Sequence, residues 1–360
     1  MSTQKKYTAV VISVGKAHST GGIKGGGHSI GYGHAETFQR SANVELVAGA
    51  DINAENLEAF QERFGITQGF ADYRQMLEEV KPDIVSIATY VGLHYPMVEA
   101  AARAGAKGII CEKPFLNSPS EILKLRRLIE ETGVKLAVPH ARRFQPNYAR
   151  AKELYCSGAV GEPLMCLGGI QDWDLSEWGS HWLDMFRFFH DDAPVKYVMA
   201  QARVGDFRGY GHAMEEHAVA YFEFEGGGRG VLDGGRGMNS PDLSLTLVGT
   251  QGVIRTFLEG RIVIQDASGE REETFADHPM VGYMPIWDAL LDGLITEMEG
   301  GPPSMLGAEN MMKTSELNLA AYISCLRGDR VDLPLDDATL AEYTEWPVEE
   351  LARRSKRNSQ

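Results

Sequence analysis

The sequence predicts an α/β protein with two domains: an N-terminal doubly wound parallel sheet, and a C-terminal α+β domain with a large, mostly antiparallel open sheet. Early in the chain, short apolar strands alternate with helical patterns, whereas after about residue 145 strand patterns follow one another directly. A length of 360 residues also allows two separate cores. We therefore expect one domain over residues 1–140, a second over 141–345, and a basic tail over 346–360.

The N-terminal part contains five apolar segments with the length and composition of strands. They lie at residues 8–14, 45–50, 83–89, 107–111 and 134–138. Apolar positions spaced three to four residues apart predict the helices between them, at 54–64, 73–80, 94–104 and 120–132. The alternation is typical of βαβ units, and nearly unbroken apolar strands indicate a parallel sheet covered on both faces. A nucleotide-binding domain is the expected result.

The C-terminal part is predicted to contain few helices and many strands. Helical spacing indicates helices at 147–157, 180–189 and 307–327. Strand patterns occupy 164–170, 195–204, 217–224, 229–233, 243–248, 252–257 and 261–265. Strands that succeed one another without crossover helices favour antiparallel pairing.

The composition narrows the class of protein and its location. A formal net charge of −15 disfavours a nucleic-acid partner, because phosphate binding requires a basic surface. Arginines and lysine at 353–357 make only the tail basic, and we interpret it as a solvated helix end without a binding role. Four cysteines without CxxC spacing are typical of reduced thiols, and no segment reaches a transmembrane length. We therefore expect a cytoplasmic protein without a membrane partner.

Glycines after the first strand indicate a dinucleotide-binding turn that an insertion divides. Gly15 ends the strand, residues 16–30 form a glycine-rich insertion, and Gly31 and Gly33 open the next helix. A phosphate would lie over the N-terminus of that helix, where free N–H groups and the helix dipole favour anions. The inserted residues are equally consistent with a flexible surface loop.

Asp51 ends the second strand, where a carboxylate can accept hydrogen bonds from an adenosine ribose. The same charge repels a 2′-phosphate, so NAD is favoured over NADP. Asp51 is also placed to cap the helix that begins near Asn53, and the two roles are compatible.

Glu112, Lys113 and Pro114 directly follow the apolar strand at 107–111. Ligands of open α/β sheets bind outside the carboxyl ends of the strands, so a lysine there can meet both cofactor and substrate. On spacing alone, a solvated pair that begins a loop is the better explanation of these residues.

A second group of chemical residues lies in the predicted helix at 180–189 and just before it. On a helix, Glu177, His181 and Asp184 would share one face, where a carboxylate could orient a histidine that acts as a general base. Metal binding is disfavoured, because no oxygen-rich or cysteine-rich ligand set lies nearby, and we predict no metal. Packing of His181 against Trp178 and Trp182 is the structural alternative.

Several segments, in order, resemble the oxidoreductase family named for glucose–fructose oxidoreductase, inositol dehydrogenase and MocA. The resemblance spans nearly the whole chain. It rests on Asp51; residues 83–89 followed by His94; Cys111-Glu112-Lys113-Pro114; Arg142-Arg143-Phe144-Gln145-Pro146-Asn147-Tyr148; residues 157–163; His181 with Asp184; Gly249-Thr250-Gln251-Gly252; and Leu333-Pro334-Leu335.

The resemblance implies a Rossmann domain and an enzyme that oxidises a sugar or cyclitol hydroxyl, or reduces the matching carbonyl, with NAD(P). It implies catalysis by Lys113 and His181, with Glu177 beside them. The implied cofactor-binding residues are Gly15, Gly31, Gly33, Asp51, Thr89, His94, Glu112 and Lys113, and the implied substrate-binding residues are Lys113, Arg143, Trp178, His181 and Asp184. It further implies a homodimer or homotetramer formed through the C-terminal sheet.

The chain departs from the family pattern at three points. Glu177 replaces the usual aspartate, Tyr90 follows Thr89 where a proline is usual, and the insertion carries His18 and His28, either of which it could bring to the site. These departures leave open an alternative, an NAD-assisted glycosidase or lyase that acts by transient oxidation at C3 and elimination. A non-enzymatic sensor is a third possibility, which the presence of both Lys113 and His181 disfavours.

Overall fold

The computed structural model describes residues 7–16, 29–171, 174–235, 244–280 and 285–358. Most of the predicted glycine-rich insertion, including His18 and His28, lies outside these residues, as does the first residue of the strand predicted at 243–248. The described chain forms two sheets, and the strands of the first all come before residue 140.

The first sheet has six parallel strands in the order β3-β2-β1-β4-β5-β6. They are β1 (Tyr7–Ile12), β2 (Val44–Ala50), β3 (Gln68–Phe70), β4 (Ile84–Ile87), β5 (Gly108–Cys111) and β6 (Lys135–Ala137). The helices between them are α1 (Ile30–Arg40), α2 (Ala54–Phe64), α3 (Tyr73–Val80), α4 (His94–Arg103) and α5 (Pro119–Thr132). This is the predicted doubly wound fold, whose strand order reverses beside β1 and β4.

The second sheet has nine strands in the order β14-β13-β12-β11-β7-β10-β9-β8-β15, and only the β7–β10 pair is parallel. Its strands are β7 (Pro163–Gln171), β8 (Val195–Gly209), β9 (His212–Phe224), β10 (Arg229–Gly235), β11 (Leu245–Gly249), β12 (Gly252–Thr256), β13 (Arg261–Asp266), β14 (Gly269–Thr274) and β15 (Val331–Asp332). The predicted open, mostly antiparallel sheet is therefore confirmed.

Six helices accompany the second sheet. They are α6 (Pro146–Cys156), α7 (Gly179–Phe189), α8 (Pro285–Met298), α9 (Ala308–Arg327), α10 (Asp337–Glu342) and α11 (Pro347–Asn358). α7 packs on β10 and α9 on β8, while α8 reaches back to α1 and β6 of the first domain. A 3-10 helix at Ala141–Phe144 connects the two sheets.

The C-terminal segment is packed against the protein and is not the solvated end that its basic residues suggested. α11 contacts β8, β9 and α9, and buries Val348 and Ala352. Its basic side chains pair with acidic neighbours, as Arg353 does with Glu345 and Glu350. The basic composition therefore reflects local charge pairing on the outer side of an amphipathic helix.

Within the described ranges, no helix is both long and apolar enough to cross a membrane. The four cysteines are all free thiols, and Cys111 and Cys166 are buried.

Candidate active site

A cavity of about 440 Å³ opens at the carboxyl end of β5, between the two sheets. In a doubly wound sheet this end faces the cofactor crevice. Parts of both domains line the cavity: the segment after β5, the 3-10 helix, the start of α7 and the start of α8. The polar and aromatic lining residues are Glu112, Lys113, Arg142, Gln145, Trp178, His181 and Trp287.

Lys113 extends from the end of β5 toward the second domain. Its Nζ donates to the Glu177 carbonyl oxygen at 3.1 Å and lies 3.4 Å from Glu177 Oε2. Its side chain keeps 21 % of its surface accessible. The ammonium is thus held in place at the cavity wall and remains open to a ligand.

Hydrogen bonds within the first domain hold the Glu112 carboxylate in place. Its Oε1 lies 3.1 Å from His34 Nε2, and the other ring nitrogen of His34 contacts Ser86 Oγ. Its Oε2 accepts from the Lys113 backbone N–H at 3.1 Å. Burial raises the pKa of Glu112, but His34 and Lys113 lower it by more. The net pKa is below the usual value, so the carboxylate stays charged. The contact between His34 and Glu112 was not predicted, although the position of His34 in the first turn after Gly31 was a sign of it in the sequence.

His181, from α7, is half-buried at the cavity. Its ring lies against those of His140, at a centroid distance of 5.3 Å, and Trp178, at 5.9 Å. Its Nδ1 is buried and has no hydrogen-bond partner among the described residues. Burial, with Arg142 and Lys113 nearby, lowers the pKa of His181 well below its usual value. The imidazole is therefore neutral near pH 7 and can accept a proton.

Glu177 does not provide the orienting contact to His181 that the helical spacing suggested. It precedes α7, which begins at Gly179, so helical geometry does not apply to it. Its carboxylate lies against Lys113 on one side and His212 on the other, each at 3.4 Å. The structure thus brings Glu177 to the predicted catalytic lysine instead.

Arg143 and Asp184, both predicted to bind substrate, form a buried ion pair away from the cavity. Arg143 Nε and Nη2 donate to the two Asp184 oxygens at 2.8 Å each, and both side chains are 1 % exposed. Burial raises the pKa of Asp184, but Arg143 lowers it to a net value below the usual range. Neither side chain lines the cavity; the arginine there is Arg142, with its guanidinium 5.2 Å from the rings of Trp178 and Trp182.

His94, predicted to bind the cofactor, turns both ring nitrogens to the backbone. Its Nε2 lies 2.9 Å from the Thr89 carbonyl oxygen and its Nδ1 lies 3.2 Å from that of Phe115. The side chain is completely buried. His94 therefore holds the segments that follow β4 and β5, and positions Thr89 through its main chain.

The backbone around β1 has the open shape that a dinucleotide needs. Gly15 has a φ of +70° and its N–H donates to Asp51 Oδ2 at 2.9 Å. A Cβ on Gly31 would lie 2.5 Å from the Val14 carbonyl oxygen, so α1 begins in direct contact with the end of β1. Among the described residues, a Cβ on Gly33 would meet only the Ile30 side chain, at 4.0 Å. These residues fit NAD, because backbone, helix N-terminus and acidic strand end lie together.

Among the described residues, no group of three histidine, cysteine or acidic side chains is arranged to hold a metal ion.

Comparison with known proteins gives matches over most of the chain. Residues 21–140 match a family model described as "Oxidoreductase family, NAD-binding Rossmann fold", and residues 148–255 match the GFO/IDH/MocA C-terminal domain. D-apiose dehydrogenase of Paraburkholderia graminis is 27% identical over 329 residues, which are 83% of this chain and 86% of that protein. Myo-inositol 2-dehydrogenase of Thermotoga maritima is 26% identical over 305 residues, covering 79% and 90%.

The fold also matches that of solved structures. A crystal structure of an oxidoreductase from Agrobacterium radiobacter, in complex with NAD+, L-tartaric acid and magnesium, superposes with a TM-score of 0.73 at 22% identity. The match covers 91% of this chain and 98% of that chain.

Proposed function

The chain belongs to the Gfo/Idh/MocA oxidoreductase family, and from that premise we propose that it is an NAD-dependent dehydrogenase of a sugar, sugar derivative or cyclitol. It would transfer hydride between the nicotinamide and a hydroxyl or carbonyl carbon. The relatives named for D-apiose and myo-inositol support this substrate class. The main support for the proposal is that Lys113 and His181, from separate domains, line one cavity at the carboxyl end of the parallel sheet.

The two residues would divide the proton chemistry between them. Bound NAD supplies the hydride acceptor in oxidation and, as NADH, the donor in reduction. Lys113 Nζ donates a hydrogen bond to the reacting oxygen, while neutral His181 takes the hydroxyl proton as the carbon loses its hydride. In reduction, protonated His181 returns that proton to the carbonyl oxygen. Because Nδ1 is buried, we assign the transfer to Nε2.

Other cavity residues would orient the substrate. The face of Trp178 suits the apolar face of a sugar ring, and Arg142 offers N–H donors to hydroxyl groups. Holding the substrate carbon against the nicotinamide contributes to the rate through orientation. The alternative of cleavage by transient oxidation and elimination is not favoured, because the relatives named above are dehydrogenases.

The proposal is tested by incubating the purified protein with NAD and a panel of aldoses, branched pentoses, inositols and glycosides, while NADH absorbance is followed. We expect NADH with at least one polyol, and we expect Lys113→Met and His181→Asn each to lower kcat by about 10²-fold or more. Lys124→Met, an exposed lysine on α5 that does not line the cavity, is the matched control. Full kcat in Lys113→Met, or no NADH with any substrate, would refute the proposal.

We also propose that the enzyme acts in the cytoplasm as a homodimer or homotetramer formed through the second sheet. Four free thiols suit a reducing compartment. Exposed side chains alternate with partly or fully buried ones along much of β8, which leaves one face of the sheet available for a partner.

A further inference from the structure

Opposite charges alternate from Lys113 into the second domain, and we call Lys113, Glu177, His212 and Asp174 the buried charge chain. Lys113 Nζ lies 3.4 Å from Glu177 Oε2, and Glu177 Oε1 lies 3.4 Å from His212 Nε2. His212 Nε2 in turn lies 3.9 Å from Asp174 Oδ2. The side chains of Glu177, His212 and Asp174 are only 8 %, 4 % and 0 % exposed. Water therefore screens these interactions weakly.

The hydrogen-bond geometry indicates that His212 is a cation. Its Nδ1 lies 2.7 Å from the Ala213 carbonyl oxygen, which can only accept a hydrogen bond. Its Nε2 faces the carboxylates of Glu177 and Asp174, which also accept when ionised. A ring that donates from both nitrogens to these acceptors is an imidazolium, and this is the form that the geometry favours.

Two hydrogen bonds hold Asp174 at the far end of the buried charge chain. Its Oδ1 accepts from the Glu177 backbone N–H at 2.7 Å, and its Oδ2 accepts from Ser176 Oγ at 2.6 Å. These bonds prevent the carboxylate from turning away from His212. The imidazolium thus lies between two carboxylates whose positions are coupled to each other.

The surroundings of His212 are set by β9 and by the C-terminal segment. The Trp346 ring covers the imidazole at a centroid distance of 4.1 Å. The other titratable groups near the ring are Glu215 of β9, whose pKa burial raises to about 7, Tyr210, which interacts with Glu177 and Asp174, and Glu349 of α11, which is paired with Arg208. Burial lowers the pKa of His212, but Glu177 and Asp174 raise it to about 8.

We propose that His212 is a positioning residue of the active site: its imidazolium fixes the Glu177 carboxylate, which in turn orients Lys113 Nζ toward the reacting oxygen. Without that cation, the buried carboxylates of Glu177 and Asp174 would repel each other. Glu177 would then move or take up a proton, and Lys113 would lose its charged partner. This inference rests on the proposed function, since it concerns the same lysine.

The kinetic test compares His212→Gln with His217→Gln. Glutamine can still donate to Glu177 but carries no charge, and His217 is an exposed histidine on the same strand. We expect His212→Gln to lower kcat about tenfold with little change in the KM for NAD, and His217→Gln to match the native enzyme. Thermal unfolding verifies that each variant is folded.

The pH profile gives a readout that a purely structural role would not change. The folded pKa of His212 is raised, so its cation is fully present below about 6.5 and is lost as the pH rises through about 8. We expect native kcat to decline in that alkaline window, and His212→Gln to lack the decline.

A second check is the double variant Glu177→Gln/His212→Gln, which should be no slower than Glu177→Gln alone, because the two residues act in series.

An NMR titration of labelled histidines tests the inference without turnover. We expect the pKa of His212 to be above the usual 6.5 in the native protein and to fall in Glu177→Gln. If no substrate yields NADH, the proposed function fails, and this titration still decides whether the charge chain exists. If NADH forms but His212→Gln keeps the native kcat and pH profile, the inference is wrong while the proposed function stands. An unshifted His212 in both proteins would overturn it as well.

Discussion

Asp51 shows how one side chain can shape the turn where we expect a cofactor to bind. Its Oδ2 accepts from Gly15 N–H and its Oδ1 from Asn53 N–H, both at 2.9 Å, so it joins the turn after β1 to the start of α2. Asn53 itself caps α2 by accepting from Asn56 N–H. The predicted helix cap is therefore Asn53, and Asp51 acts one step earlier, in the turn that leads into the cap.

Asp51→Ala should lower selectivity for NAD over NADP. The substitution removes the negative charge that repels a 2′-phosphate and the hydrogen bond that fixes Gly15. We expect the KM for NAD to rise about tenfold or more and the ratio of kcat/KM for NAD over NADP to fall. Asp72→Ala is the matched control, since Asp72 also precedes a helix and accepts from a backbone N–H, that of Arg74. An unchanged ratio in Asp51→Ala would contradict a ribose-binding role.

Arg142 and Arg143 show what sequence could not settle at this scale. Both lie in the 3-10 helix at Ala141–Phe144, where consecutive side chains point about 120° apart because there are three residues per turn. One arginine must then face away from the cavity, and the buried Asp184 pairs with Arg143. The motif marked the segment correctly, but only the three-dimensional position of Asp184 decides which arginine lines the cavity.

At the scale of elements, the contact between β1 and α1 sets the shape of the cofactor site. Gly31→Ala should disrupt it, since the new Cβ would lie 2.5 Å from Val14 carbonyl oxygen and 3.0 Å from Val14 Cα. Backbone atoms cannot rotate away as a side chain can, so α1 must shift. We expect a loss of about 1–3 kcal/mol in the free energy of unfolding and weaker NAD binding.

Gly33→Ala is the control within the same helix, because in the part of the chain that the structure describes its Cβ would meet only the Ile30 side chain, at 4.0 Å. Alanine favours helix over glycine, so this variant should be as stable as the native protein or about 1 kcal/mol more stable. Chemical denaturation and calorimetric titration with NAD measure both effects. Equal stability of Gly31→Ala and the native protein would show that the helix does not depend on this close approach.

The sequence predicted well those elements whose ends are marked by capping residues. α2 occupies Ala54–Phe64 as expected, since Asn53 caps its start and Gly65 ends it in a left-handed conformation. The missed strands lacked a periodic signal: β3 has only three residues, and β14, Gly269–Thr274, is a charged edge strand. α8 was missed at Pro285–Met298 and contributes Trp287 to the cavity.

At the scale of the whole molecule, the candidate site combines parts that are distant in sequence. Lys113 follows a strand of the first sheet, His181 belongs to a helix on the second, and Trp287 comes from a helix that contacts both domains. Sequence patterns within single elements identified Lys113 and His181 as catalytic candidates. They could not identify His212, because its partners lie on other elements and are joined to it only by folding.

The C-terminal segment links the stability of the whole chain to the site. Trp346 is buried against the His212 ring, and Glu349, one turn into α11, accepts from the Ala213 backbone N–H at 2.8 Å. The C-terminal segment therefore covers His212, the third member of the buried charge chain that begins at Lys113. A substitution in this segment should therefore change how Lys113 is positioned, although α11 contributes no residue to the cavity lining.

Trp346→Ala should accordingly affect both folding and catalysis. Truncating a buried tryptophan costs about 3–5 kcal/mol in the free energy of unfolding, and water would reach His212 and weaken its hold on Glu177. We expect kcat to fall in the same direction as in His212→Gln, but less. Arg357→Ala, an exposed residue of α11 paired with Glu350, should change stability by no more than about 0.5 kcal/mol and leave kcat unchanged. If Trp346→Ala lowers stability while kcat stays native, the C-terminal helix supports the fold alone and has no part in positioning Lys113.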